Sequence, residues 1–439
     1  MSETEAFHNP EDTYVLVTGA NSGLGFSTCC RLADDFLKTR PPTASLNIIF
    51  TTRSARKAQD TARRLEAHLR TTAPFPEDFS RVRFLPESVD LGSLVSVRAC
   101  SRRLNSTFPK LDAIILNAGV GGFSGIDWPN AIWKVCTDLL HSVTWPDYKL
   151  SPVGVLTEKQ TCKELEEPAL GALFCANVFG HYMLAHNVMP LLKRAKTPDG
   201  PGRVVWVSSI EATIEHFDVG DIQALRSVTP YDSSKELTDI LALTSDLPGT
   251  APWAVKGFLS SDDCDDANGD SVVPTMHVSH PGVCATAIIP LALPLIWAMM
   301  IAFWGARMLG SPWHNMSTYL GAISPVSLAL SSKTEIEAAE KPYRQAGGGK
   351  PKWGSSTSRL GTASVVCTEV EGWGYGGVVG TPVVEADRQR RRKRRATYLT
   401  VEQKENFEEL GRQCWKQMEE LRVKWDGILD QAEKMQNDR

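Results

Sequence analysis

Tyr231 and Lys235 stand four residues apart, the spacing that places two side chains on one face of a helix, a turn from each other. A free phenol ionises at about pH 10, too high for ready proton exchange at neutrality. An ammonium group beside it favours the phenolate and draws that pKa toward the working range, so the pair can act as a tuned proton donor. Ser208 and Ser209 close an apolar run, Val204-Val205-Trp206-Val207, 22 residues before Tyr231. A hydroxyl there can hydrogen-bond a carbonyl and stabilise the alkoxide that forms from it. By the residues alone, Ser208 and Ser209 compete for this role. Far upstream, Thr18-Gly19-Ala20-Asn21-Ser22-Gly23-Leu24-Gly25 follows another apolar run. Glycine at 19 permits a tight turn, and glycine at 23 and 25 lets backbone and helix approach a pyrophosphate, which a helix N-terminus attracts.

These residues need a scaffold, and the rest of the chain supplies its pattern. Short β-branched runs at 14–18, 46–52, 82–86, 112–117, 203–208 and 275–279 alternate with helical patterns at 23–38, 55–71, 91–106, 172–192 and 233–243. Such alternation predicts an α/β fold: a Rossmann-type doubly wound parallel sheet, helices on both faces, ligands at the carboxyl ends of the strands. Insertions are expected near 121–171 and 246–273, the second ending in an acidic Ser-Asp-Asp-Cys-Asp-Asp loop. This main domain is expected to span 1–345. The Gly- and Ser-rich stretch that follows reads as loop or disorder, so 346–398 is expected to be a Gly-rich and basic linker. A helical C-terminal tail, 399–439, is expected as an amphipathic helix with Thr400 and Gln403 in capping-box spacing. Its apolar positions are Phe407, Leu410, Cys414, Met418, Leu421 and Trp425.

Bulk properties narrow the class. The chain has 439 residues, net charge −4 and ten cysteines. No global charge argues for nucleic acid. The cysteines show neither Cys-x-x-Cys nor zinc-site spacing, so no metal is expected, and free thiols fit a reducing compartment. The acidic, polar residues 1–13 lack the basic and apolar regions of a signal peptide.

Together, the glycine turn, Asn117-Ala118-Gly119, Asn177, the Ser-Ser pair and the Tyr-x-x-x-Lys pair occur in the order of the short-chain dehydrogenase/reductase family, which the chain resembles. The resemblance implies a nicotinamide cofactor bound by Gly19, Asn21, Gly23, Leu24, Gly25, Thr52, Arg53, Lys57, Asp90, Asn117, Tyr231, Lys235, Val283 and Thr286. Asp90 stands where the family contacts adenine. Pro281-Gly282-Val283, with Thr286 after it, matches the segment over the nicotinamide. Leu116 replaces the first Asn of the family's Asn-Asn-Ala-Gly. Lys235 is expected to hold the ribose as well as tune Tyr231, and Asn177 to support a water relay to it. The family's spacing favours Ser209 over its competitor Ser208, but Ser209 and Tyr231 are further apart than in short members, so the extra residues must loop out. Arg53 stands where an NAD site usually places an acid. Arg53 and Lys57 would instead pair with a 2′-phosphate, which selects NADPH/NADP.

The residues 282–306 contain no charge and include Trp297, Met300 and Phe303. Their length approaches that of a membrane span, but Pro290 and Pro294 favour a segment dipping into one leaflet, anchored at Arg307. A buried core helix or a dimer contact is the other reading. The basic run 388–395 is either a solvated linker or a contact with anionic lipid headgroups, a nuclear signal or a nucleic acid contact, lipid being preferred among these functional readings.

Gly125-Ile126-Asp127-Trp128, 146–149, Val153-Gly154-Val155 and 174–180 further resemble the fungal 3-keto-steroid reductases over roughly residues 12–345. That resemblance implies NADPH-dependent reduction of the C-3 ketone of a sterol intermediate in ergosterol synthesis, during C-4 demethylation. It also implies other C-4 demethylation proteins and oxidosqualene cyclase as partners, at the cytosolic face of the endoplasmic reticulum membrane and lipid droplets. A reductase of another lipid or a retinoid, or a membrane scaffold for sterol enzymes, remains open at this point.

Overall fold

A computed structural model describes residues 12–161, 164–195, 200–260, 273–286, 292–394 and 396–438. Its centre is an eight-stranded sheet. The strands are β1 (Thr13–Val17), β2 (Leu46–Thr52), β3 (Val82–Ser88), β4 (Ala113–Leu116), β5 (Arg203–Val207), β6 (Thr275–His280), β7 (Lys352–Thr357) and β8 (Ala363–Thr368). Their order is β8-β7-β6-β5-β4-β1-β2-β3. All pairings are parallel except β7 with β8.

The period-two pattern of β1 explains why both faces are covered. Tyr14 and Leu16 enter one core, and Val15 and Val17 the other. The second core is closed by α1 (Gly23–Thr39), α2 (Ala55–Thr72) and α9 (Ile323–Leu330), through Phe36, Leu65 and Val326. The first is closed by α3 (Leu94–Thr107), α6 (Gly180–Asn187) and α7 (Pro230–Leu243), through Val97, Leu184 and Leu237.

The expected helix over 172–192 is broken into pieces. A π-helical turn, Cys175–Phe179, precedes α6, and a separate short helix, Met189–Lys193, follows. Pro190 has no N–H to continue the ladder, which accounts for the second break.

The stretch expected to be a linker is structural. β7 is buried along its whole length, between β6 and β8. Its polar residues are accommodated because ladders on both sides satisfy the backbone. Gly354 there serves close packing, since a Cβ would lie 2.4 Å from His280 Nε2. The basic run is likewise stitched to the body: Arg390 to Asp387 (2.6 Å), Lys393 to Glu371 (3.1 Å), Arg394 to Asp138 (2.7 Å), and Arg392 to Glu369. These four cations have carboxylate partners, which compete with a headgroup for them. Arg395 and the acidic loop of the second insertion lie outside the described residues.

The C-terminal helix α10 (Val401–Asn437) opens with the expected capping box. Gln403 N donates to Thr400 Oγ1 at 3.2 Å, and Thr400 N to Gln403 Oε1 at 3.0 Å. Phe407, Cys414, Met418 and Trp425 are buried as expected, whereas Leu410 and Leu421 are only partly buried. Trp415 and Leu429 join the buried face, and the Tyr182 hydroxyl donates to Glu419 at 2.5 Å. The helix therefore completes the first core.

The first insertion forms α4 (Trp128–Thr137) and α5 (Leu139–Thr144). Leu140 and Val143 pack against α8 (Leu293–Met308), the helix of the uncharged segment, through Ala302, Phe303 and Ala306. No helix among the described residues is long and apolar enough to cross a membrane. Pro294 occupies the first turn of α8, where its missing N–H is harmless. Outward, Trp297 is 70% exposed, Ile301 72% and Trp304 57%. Trp133 and Ile132 of α4 are exposed as well.

Candidate active site

The sequence-predicted residues gather where strands end: Gly19 to Gly25 after β1, Thr52 and Arg53 at β2, Asp90 past β3, Asn117 after β4, Ser209 past β5, Val283 and Thr286 past β6. This is the carboxyl edge at which a doubly wound sheet receives ligands.

The glycine turn is built by close approach. Gly19 has φ +70°, and a Cβ on it would lie 2.7 Å from that of Ala118. A Cβ on Gly25 would meet Gly19 O at 2.3 Å and Asn117 Nδ2 at 2.5 Å. Asn117 Nδ2 donates to Thr18 O at 2.9 Å, while its buried Oδ1 has no partner among the described residues. α1 has no acid in its first turn and no side-chain cap from Ser22, so its leading N–H groups remain available to an anion. Asn21 and Leu24 flank this turn, half-buried, and Asn21 O accepts from Arg64 at 3.0 Å. Thr52 is buried and donates to Ser54 O at 2.9 Å. Arg53 and Lys57 are exposed, and α2 has no acid in its first turn. Asp90 is exposed and accepts from Gly92 N at 3.0 Å, shaping the turn after β3. Val283 N donates to Trp313 O at 2.7 Å, which ties the segment after β6 to the chain beyond α8; Thr286 is half-buried there. An orphaned acceptor, a cradle without side chains, an unneutralised helix N-terminus and two exposed cations fit a phosphorylated dinucleotide.

Around the phenol the fit is closer. Pro230 opens α7, its fixed φ suited to a first helical position, so Tyr231 sits in the first turn and Lys235 one turn on. Lys235 Nζ lies 5.8 Å from the Tyr231 ring centroid and donates to Val207 O at 2.9 Å. The residues between Ser209 and Tyr231 loop out through two short 3₁₀ turns, Ile214–His216 and Val219–Asp221, and the chain returns Tyr231 to the vicinity of Ser209, whose hydroxyl acts on the phenol's ionisation. Ser209 Oγ accepts from Glu211 N at 3.1 Å, so its proton can turn toward the phenol or a bound carbonyl. Ser208 Oγ instead donates to Lys235 O at 3.3 Å, within the buried interior. Geometry thus separates the two serines. Asn177, in the π turn, clasps the loop after β4: its Oδ1 accepts from Val120 N at 2.8 Å and its Nδ2 donates to Val120 O at 2.9 Å. π turns recur at functional sites.

One expectation is reversed. Burial raises the Tyr231 pKa, Glu211 adds to the rise, and the Ser209 hydrogen bond opposes it. The resting phenol is therefore held protonated. Burial also lowers Lys235, to about 8, with Asp239 opposing and Lys352 adding to the fall.

Several neighbours escaped sequence reasoning. Thr18 Oγ1 accepts from Asn117 N (2.9 Å) and Ala118 N (3.0 Å) and meets His181 Nε2 at 2.8 Å. Burial lowers the His181 pKa to about 3, so its ring stays neutral and links the glycine turn to α6. The only sequence signal was its place four residues after Asn177. Phe123 and Lys149 come from the first insertion. Their ring centroid and Nζ lie 5.4 and 5.7 Å from the Tyr231 ring, and Lys149 pairs with Glu211.

No protein-family profile matches the chain. Among solved structures, one similar fold is the RhlG/NADP active-site complex of Pseudomonas aeruginosa, at 17% identity and a TM-score of 0.42, covering 75% of this chain and 94% of that one. Sequence relatives are far nearer. The chain is 60% identical to the 3-keto-steroid reductase erg27 of Aspergillus fumigatus, over 96% of this chain and 95% of the relative. It is 38% identical to the 3-keto-steroid reductase ERG27 of Gibberella zeae, over 95% of each chain. It is 30% identical to the erg27 reductase of Schizosaccharomyces pombe, over 82% of this chain and 90% of the relative. Identity at these levels over nearly the whole length places the chain in the family of the 3-keto-steroid reductases.

Proposed function

We propose that this chain reduces the C-3 ketone of a 4-demethylated sterol intermediate to the 3-hydroxysterol in ergosterol synthesis, using NADPH. The observation that carries the reading is the convergence of Ser209, Tyr231 and Lys235 at the carboxyl edge of the sheet, in a chain 60% identical to a 3-keto-steroid reductase. NADPH, when bound, supplies the hydride. Gly19, Gly23 and Gly25 let the backbone close on its pyrophosphate, Asn21 and Leu24 flank that turn, and Arg53 and Lys57 favour its 2′-phosphate. Thr52, Asp90, Asn117, Val283 and Thr286 complete the cofactor wall.

Ser209 donates a hydrogen bond to the ketone oxygen and stabilises negative charge there. Tyr231 gives its proton to that oxygen. Burial keeps the proton in place until charge develops, and Lys235 then stabilises the phenolate left behind. Asn177 holds the loop before Phe123, which packs on the phenol. The test is reduction of the saturated 3-ketosterol cholestanone by the purified chain, joined with sterol profiling of cells that lack it. Accumulated 3-ketosterols and NADPH-linked turnover are expected; a normal sterol profile would refute the assignment.

The same reading places the protein on the cytosolic face of the endoplasmic reticulum membrane and on lipid droplets. It is supported by the outward Trp297, Ile301 and Trp304 on α8, and by the exposed Trp133 of α4. A sterol ketone dissolved in that surface would reach the site from the lipid side. Its partners, the other sterol C-4 demethylation proteins and oxidosqualene cyclase, would share the surface; their recovery with the tagged chain from solubilised membranes tests this.

A further inference from the structure

Beneath the serine and the lysine lies a buried ion pair that the reaction as described does not use. Lys352 of β7 and Asp239 of α7 are 3% and 1% exposed and in direct contact. Lys352 Nζ also donates to Ser209 O at 2.7 Å and approaches Ser208 Oγ at 3.4 Å. Its three protons thus meet a carboxylate, a carbonyl and a hydroxyl, the full complement of an ammonium. One of these acceptors is the main chain of the residue whose hydroxyl faces Tyr231. The other carboxylate oxygen of Asp239, and both carboxylate oxygens of the adjacent Glu236, are buried without partners among the described residues. A pair this deep contributes little to net stability against an apolar replacement, because desolvation offsets attraction. A structural role alone therefore gives a weak reason for charges at this point.

We propose that Lys352 and Asp239 are positioning residues for the reduction: the pair fixes the Ser209 peptide, and so the hydroxyl that polarises the ketone, and sets the charge around Lys235. The inference rests on the catalytic reading of Ser209, Tyr231 and Lys235. Four groups face Lys235: Tyr231 and Asp239 from its own helix, Lys352 from β7 and the neutral His181 from α6. Of these, Asp239 favours the Lys235 ammonium and Lys352 disfavours it. Removing each should therefore move the alkaline limb of the rate in opposite directions.

The experiment follows cholestanone reduction with NADPH across pH in Lys352→Met, Asp239→Asn and the double variant Lys352→Met/Asp239→Leu, with Tyr231→Phe alongside. Lys352→Met should lower kcat about 30-fold or more while the KM for NADPH stays within about threefold, because the cofactor contacts are elsewhere. Its alkaline limb should move up in pH, and that of Asp239→Asn down. The double variant removes both charges and should fold, as its melting temperature will report, yet keep kcat at least about tenfold below the parent. Should either single variant fail to fold, the double variant decides. Parental kcat in a folded double variant overturns the proposal, as do limbs that move together or not at all. Parental turnover in Tyr231→Phe would instead overturn the catalytic reading beneath it.

Discussion

If α8 meets lipid, replacing Trp297, Ile301 and Trp304 by Ser should release the protein. The magnitude follows from their exposure. A tryptophan side chain presents about 200 Å², so at 70% and 57% exposure the two rings offer roughly 255 Å². At about 25 cal/mol per Å² that is about 6 kcal/mol, and Ile301 adds about 1.5 kcal/mol. Insertion of about half this surface gives about 4 kcal/mol, close to a thousandfold in partition. The assay is flotation with neutral phosphatidylcholine vesicles at low and high salt. The parent should float at both salts, because the attraction is apolar, and the triple variant should remain at the bottom. Phe303→Ser makes a separate prediction. Phe303 faces Leu140 and Val143, so this change should lower the melting temperature rather than change flotation. A parent that fails to float, or a triple variant that floats equally well, would refute the membrane face.

Other expectations are more local. Tyr231→Phe should leave NADPH binding nearly intact, by fluorescence titration, and remove most turnover, since only the proton donor is lost. Arg53→Ala should raise the KM for NADPH much more than that for NADH; equal losses would make Arg53 structural. Because burial brings Lys235 to about 8, its ammonium is lost as pH rises through that value. A pH profile of kcat should fall on that alkaline side, and a flat profile to pH 10 would contradict the role. Trp415→Ala should destabilise the whole body by about 3–5 kcal/mol in denaturant unfolding, since Trp415 is fully buried among Tyr182 and Phe258.

The sequence by itself determined the strands from β1 to β6 and the glycine turn, because short β-branched apolar runs and the demands of a tight strand-to-helix turn are local properties. It determined the Tyr231 and Lys235 pairing for the same reason, as one helical turn fixes both. The capping box of Thr400 and Gln403 was equally legible. Tertiary structure alone decided the rest. Nothing local distinguishes a Gly- and Ser-rich strand from a loop, and β7 is a strand because β6 and β8 satisfy it from both sides. The choice of Ser209 over Ser208 required knowing which hydroxyl acts on the Tyr231 phenol and which is taken up by Lys235 O. The sign of the Tyr231 shift depended on burial, to which Phe123 contributes, and on Glu211, both outside its helix. Lys352 lies 143 residues beyond Ser209; only the folded sheet brings its charge beneath that serine.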